Sequence, residues 1–331
     1  MALCGVLSIL LVITAIASVC MGQYVIPVRD LSTLLMQGPL GGQGMDASVL
    51  WQIRLPRLVL GLLVGAALGV GGALMQAVCA NPLAEPSVIG VTSGAGVGAA
   101  TIIVFNVTPF GTSTVPIAAF VMGMVTAICV YRLSRHNGQI HVVNLILVGI
   151  AVNAVAGAVI SFLIFFAPTT SREQIIFWQM GTLVGAQWAH VSVVGIIVIC
   201  GITGAIIIDR QLDVLALGDF AAKHVGVHVT RLRAIAIILA TLLTAGAVSY
   251  AGLIGFVGLV IPHIVRTVAG PSNIILVPAS AIGGAVLIAA ADVFARTVIP
   301  FADLPIGIFT ALVGGPTFFY LLRRMMRKGQ S

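Results

Sequence analysis

Apolar runs of about twenty residues recur along the whole chain, separated by short polar joints. About 20 apolar residues in a helix cross the hydrocarbon core of a bilayer. Helices satisfy their own backbone hydrogen bonds there, as few other structures can. Ten such runs fall at 2–22, 57–78, 88–106, 115–133, 143–167, 189–208, 232–250, 252–267, 274–295 and 304–322. The stretch 234–265 is too long for one crossing, and Gly246, Gly252, Gly255 and Gly258 offer places to break it into two. The predicted fold is all-α: a polytopic membrane protein of about ten transmembrane helices, one domain over 1–331. The longest polar stretches, 23–56 and 209–233, are too short to fold alone. No internal repeat or low-complexity tract stands out.

The first run has no positively charged residues before it and is long for a signal peptide, so a retained helix is expected. Cys4, Cys20, Cys79, Cys129 and Cys200 are scattered through apolar runs without metal or redox spacing and read as small core residues. The net charge of +7 is dispersed among hydrophobic spans, which points to membrane topology rather than nucleic acid. The chain carries no Gly-x-x-x-x-Gly-Lys-Ser/Thr phosphate loop, no Gly-x-Ser-x-Gly and no zinc-type cluster, so no catalytic constellation is expected in it.

Lys and Arg concentrate on the cytoplasmic side of membrane proteins. With the N-terminus inside, the inner joints hold Arg132, Arg135, Arg210, Lys223, Arg231, Arg233, Arg266, Arg323, Arg324, Arg327 and Lys328. The outer ones hold only Arg29, Arg54, Arg57, Arg172 and Arg296. The opposite orientation reverses that bias, so both termini are expected in the cytoplasm.

Arg54-Leu-Pro-Arg57 opens the second span from outside, with Pro56 near a helix start where its missing N–H costs little. Its arginines either bind lipid phosphate or present guanidinium donors to carboxylates on a docking protein. Gly61, Gly65 and Gly69 form a small-residue stripe for close helix packing. Asp292 and Arg296 stand four apart near the outer end of span nine; a local ion pair and a proton relay both account for the acid. Gln76–Pro86 contains Pro82, Glu85 and Pro86 and reads as a cytoplasmic turn or a surface for a cytoplasmic partner. His263, at the inner end of span eight, has no second metal ligand at useful spacing and reads as a hydrogen-bonding residue.

In the loop 209–233, residues 215–226 predict a short helix that Asp219 begins and Gly226 ends. Phe220, Ala221, His224 and Val225 fall near one face. Such a helix could lie on lipid; its two turns suit a groove on a soluble partner better.

Together these segments resemble the FecCD family of ABC-importer permeases, which serves ferric siderophores, haem and vitamin B12. The resemblance runs over essentially the whole chain. It rests on Trp51-Gln-Ile-Arg54-Leu-Pro-Arg57, Asn81-Pro-Leu-Ala-Glu-Pro86, Leu215-Ala-Leu-Gly-Asp219 with Val225-Gly226, Gly255-Phe-Val-Gly-Leu-Val-Ile-Pro-His263 and Leu304-Pro-Ile-Gly307. It implies a vitamin B12 importer permease-like fold in the cytoplasmic membrane of a bacterium. It implies a homodimer around a central pathway, two ATPase subunits inside that bind the ATP and Mg, and an extracytoplasmic substrate-binding protein outside. No cofactor, metal or nucleic acid is expected on this chain itself.

By that resemblance, Arg54, Arg57 and Arg296 pair with acidic residues of the binding protein. Leu217, Gly218, Asp219, Phe220, Ala221, Lys223, His224, Val225 and Gly226 form the coupling helix seated in the ATPase. Span five lines the pathway, with a gate at Val142, Val143 and Asn144; Val142 and Val143 stand where the vitamin B12 permease has small hydroxyl residues, so a hydrophobic constriction is expected. The segment Ser171–Gly181 is similar to iron-complex members, haem permeases more than siderophore ones. The implied cargo is an iron complex, haem or ferric siderophore, with vitamin B12 as the alternative. An ion-gradient-driven secondary transporter is a rival class, for which Asp292 is the candidate charge.

Overall fold

The computed structural model describes residues 2–24, 26–41, 44–136 and 139–328. In chain order the helices are α1 (Ala2–Cys20), α2 (Val28–Gly41), α3 (Met45–Ser48), α4 (Leu55–Cys79), α5 (Val91–Phe105), α6 (Thr114–Leu133), α7 (Val142–Phe166), α8 (Thr169–Met180), α9 (Trp188–Leu215), α10 (Asp219–His224), α11 (Val229–Ala251), α12 (Val257–Ala269), α13 (Asn273–Thr297) and α14 (Ile306–Lys328). A two-residue hairpin between α6 and α7 pairs Arg135 with Ile140 and His136 with Gln139.

Among the described residues, seven helical stretches are long and apolar enough to cross a membrane, and three shorter apolar helices are Val91–Phe105, Val257–Ala269 and Ile306–Tyr320. Each coincides with one of the ten apolar runs. The second crossing begins earlier than its apolar run, because Met45–Cys79 is one continuous helix of 35 residues. Its turn at Val49–Arg54 is π-helical. Pro56 has no N–H for the carbonyl of Gln52, and a widened turn absorbs that loss. The long stretch 234–265 divides as its glycines predict: α11 stops at Ala251, residues 252–256 are not helical, and α12 follows. Pro262 cannot donate to the carbonyl of Gly258, and the side chain of Gln76 does so instead, at 3.3 Å.

Helix α4 is the axis of the bundle. Its membrane window is 78% buried, against 22% for α7. The small-residue stripe explains how it packs. A Cβ on Gly65 would lie 2.2 Å from the carbonyl oxygen of Gly284 on α13, and one on Gly284 would lie 2.1 Å from that of Gly65. Only two glycines admit that approach. At the opposite end of α13, the Asp213 carboxylate on α9 accepts from Ser272 Oγ and Asn273 Nδ2, both at 2.8 Å. Of the basic cluster expected to anchor α14, the side chains of Arg324, Arg327 and Lys328 lie outside the described residues.

Candidate functional site

Three places hold the residues that the sequence singles out: the two ends of the bundle and one level between them. At the first end lie Arg54, Arg57 and Arg296, which are 4%, 8% and 6% exposed. They do not form an open fork. Arg57 donates from Nε to Asp292 Oδ1 and from Nη1 to Asp303 Oδ2, each at 2.8 Å. Arg296 lies 3.5 Å from the other oxygen of Asp292 and donates to Ser18 Oγ at 2.7 Å and to the Ser18 carbonyl. Arg54 donates to the carbonyls of Val19 and Tyr24. Ser18 and Val19 belong to the last turn of α1, whose carbonyls have no partners within the helix. Arg54 and Arg296 thus cap the negative end of α1. The acids that these arginines seek are supplied within the chain, by Asp292 and Asp303. The i, i+4 pair of Asp292 and Arg296 is present, and Arg57 joins it from α4. Beside this cluster the Tyr24 hydroxyl donates to Asp46, and that hydrogen bond, with burial, holds the phenol above its usual range.

Between the ends, the segment after α4 does not stay at the membrane face. Ala80 takes a left-handed conformation, and the chain turns back toward the bundle. A Cβ on Gly71, eight residues before the end of α4, would lie 3.6 Å from the Pro86 ring. Eight residues of helix are about 12 Å. Asn153, near the middle of α7, donates to the Ser87 carbonyl at 3.1 Å, and Ser93 donates to its Oδ1 at 2.6 Å. A Cβ on Gly149 would lie 1.8 Å from the Val88 carbonyl oxygen. The turn 80–90 is therefore re-entrant and packs against the helix expected to line the pathway. Glu85 lines a cavity of about 150 Å³ with Ser87, Thr92, Thr244 and the non-helical residues 253–256. This corrects the reading of Gln76–Pro86 as a surface turn, and it adds a charge at depth that the sequence reading reserved for Asp292.

At the second end, α10 and the residues flanking it carry the expected coupling positions. Leu217, Phe220 and Val225 are 75%, 78% and 72% exposed, while Ala222 is fully buried. The Phe220 and His224 rings pack 4.2 Å apart. Asp219 accepts two hydrogen bonds from Arg233 of α11, both at 2.8 Å. A pocket of about 200 Å³ is lined by Asp219, Lys223 and Arg233 on one side and by Ile140, His141 and Val142 on the other. The α10 segment and the start of α7 therefore meet in space, though Asp219 comes 77 positions after Val142. Val143 is exposed and Asn144 half-buried. Both chain ends, the start of α1 and the end of α14, fall on this same side by the alternation of the helices.

The structure thus unites α10 with Val142 and unites the three arginines with one another. It adds Asp303, Ser18, Asn153 and Glu85, which the sequence reading did not place in a site. Only Glu85 gave any signal, as the lone charge in a proline-flanked turn. Among the described residues, no three His, Cys, Asp or Glu side chains gather as a metal site would need.

The profile of the FecCD transport family matches residues 10–324. The cobalamin import system permease protein BtuC of Halobacterium salinarum is 40% identical over 93% of this chain and 84% of its own length. The hemin transport system permease protein HmuU of Yersinia pestis is 36% identical over 97% of this chain and 95% of its own. The Fe(3+)-citrate import system permease protein YfmE of Bacillus subtilis is 34% identical over 98% and 95%. A solved structure of an ABC transporter assigned to the metal-chelate type, in an inward-facing conformation, superposes with a TM-score of 0.86 at 30% identity. It covers 97% of this chain and 98% of that one.

Proposed function

The chain belongs to the FecCD transport family and is a membrane permease of the ABC-importer type; from that premise we propose that it carries an iron complex, haem or a ferric siderophore, as one half of a homodimer in the cytoplasmic membrane. ATP and Mg are bound by two ATPase subunits at the α10 end, with the termini on the same, cytoplasmic side. An extracytoplasmic substrate-binding protein docks at the arginine end. In this reading the arginines shape the docking surface from beneath: Arg57 fixes Asp303, which is part-exposed, beside the fully exposed Phe301.

The observation that carries the reading is the shared pocket of α10 and Val142. A push on exposed Leu217, Phe220 and Val225 reaches α11 through the Asp219–Arg233 pair and reaches α7 through the pocket wall. An ATPase closing beneath α10 then moves the mouth of the pathway. The face of α7 bearing Val143, Leu147 and Ile150 is apolar and exposed, which suits a seam between two copies that seals without binding the cargo.

The relatives quoted above are named for cobalamin, haemin and ferric citrate, all metal chelates. Cobalamin is the second reading for the cargo, favoured by the identity to the Halobacterium protein. The deciding experiment reconstitutes the permease with its ATPase and binding protein and measures ATP-dependent uptake of haem, a ferric siderophore and cobalamin in competition. Uptake of haem or siderophore, undiminished by excess cobalamin, is the expected result. Uptake of cobalamin alone replaces the first reading with the second, and uptake without ATP or partners sinks both.

A further inference from the structure

Along the first half of α11 three cavities adjoin. One of about 560 Å³ is lined by Tyr131, Lys223, His228 and Arg231. A second, about 240 Å³, runs between α6 and α11, with Met124, Ile128, Ile237 and Ile238 along it and Tyr131 and Arg132 among its lining. A third, about 430 Å³, runs between α9 and α11 along Ile207, Ile208, Leu232 and Ile235 and shares His228 and Arg231 with the first. No Asp or Glu lines any of the three. Among the described residues, Arg132, Lys223 and Arg231 form no salt bridge with a carboxylate.

The arrangement is a basic patch at the end of the membrane spans, with an apolar groove leaving it on either side of α11. From Arg132 to Met124 the groove between α6 and α11 follows eight residues of α6, about 12 Å, well over a third of the hydrocarbon thickness. We infer that an anionic phospholipid binds here, its phosphate against Arg132, Lys223 and Arg231 and its two acyl chains in the grooves flanking α11. A soluble partner would meet the patch but leave the grooves empty. A second copy of this chain would bring its own surplus of basic residues to a patch that has no acid. A two-tailed anionic lipid of the adjoining leaflet complements both the charge and the shape. Because Lys223 also lines the pocket beside Val142, the bound headgroup braces α10 from behind.

The test is native mass spectrometry of the purified full chain, titrated with phosphatidylglycerol and with phosphatidylcholine of equal chain length. Phosphatidylglycerol should bind more tightly. The double variant Arg132→Gln/Arg231→Gln should lose about fivefold per cation, roughly twenty-five-fold in all, for phosphatidylglycerol only. Ile238→Trp, which fills the groove, should weaken both lipids. Retained phosphatidylcholine binding by the double variant shows that it is folded. Equal affinity for the two lipids in the unaltered chain overturns the inference, as does a preference that survives in the double variant. It is likewise overturned by a second copy of the chain, rather than lipid, being what Ile238→Trp releases.

Discussion

Arg57 of α4 donates to Asp292 of α13 at 2.8 Å, across 235 positions of sequence, and the same guanidinium holds Asp303 beyond the end of α13. The pair lies under the contact between Gly65 and Gly284, so one interface between two helices is fixed by charge at its end and by bare backbone at its middle.

Removing one partner of a buried ion pair strands the other, at about 3–5 kcal/mol. Asp292→Leu is therefore expected to lower the thermal midpoint of the purified permease more than Arg57→Leu does, since it takes the carboxylate from buried Arg296, whereas Asp292 keeps Arg296 when Arg57 is lost. Midpoints measured in nanodiscs check this. Equal loss in both variants would mean that Arg296 does not depend on Asp292.

Gly65→Val must push α4 from α13, because even a single added carbon meets backbone 2.2 Å away. Overpacking of this kind costs about 1–3 kcal/mol or more. Gly5→Val on α1 is the control, since nothing lies within 4 Å of a Cβ there. The first variant should be poorly folded by size-exclusion chromatography and the second unaffected.

The Asp219–Arg233 pair is half exposed on the acid side and contributes at most about 1 kcal/mol to stability. Its expected weight is mechanical. Asp219→Ala should leave the melting temperature nearly unchanged while uptake falls relative to ATP hydrolysis in the reconstituted complex. The swap Asp219→Arg/Arg233→Asp should recover part of that coupling. Uptake per ATP that does not move in Asp219→Ala would remove the pair from the coupling path.

Glu85 sits in a small cavity whose lining has three hydroxyl side chains and no cation. Glu85→Gln keeps the shape and the hydrogen bond from Ser87 and should fold and transport. Glu85→Lys places an unpaired ammonium among apolar neighbours and should reduce the yield of folded protein several-fold. Expression and uptake of the two variants, compared side by side, test the placement of the turn.

The crossings were legible because hydropathy is local: each apolar run reports its own environment without knowledge of its neighbours. The same holds for α10, where Asp219 near the start and Gly226 just past the end delimit the helix within one segment. The partners of Arg54, Arg57 and Arg296 within the chain are not legible in the same way, because they are distant in sequence. Backbone carbonyls of α1, which leave no trace in residue identity, take much of their charge. The prolines at 82 and 86 announced that a helix must stop, yet nothing in them says which way the chain then goes. That direction is set by Asn153 and Gly149 on another helix.

Helices α5 and α12 have 15 and 13 residues, about 22 and 20 Å, and neither bridges a bilayer on its own. The re-entrant turn before the first and the uncoiled link before the second leave polar backbone at a depth where lipid offers it nothing. Neither can be released from the insertion machinery as a finished unit. Each has to wait for the helices it packs against, α6 and α11 for α5 and α4 and α13 for α12, so biogenesis of this part of the molecule is a concerted event and a truncation that spares every hydrophobic segment but α4 and α11 would still fail to mature.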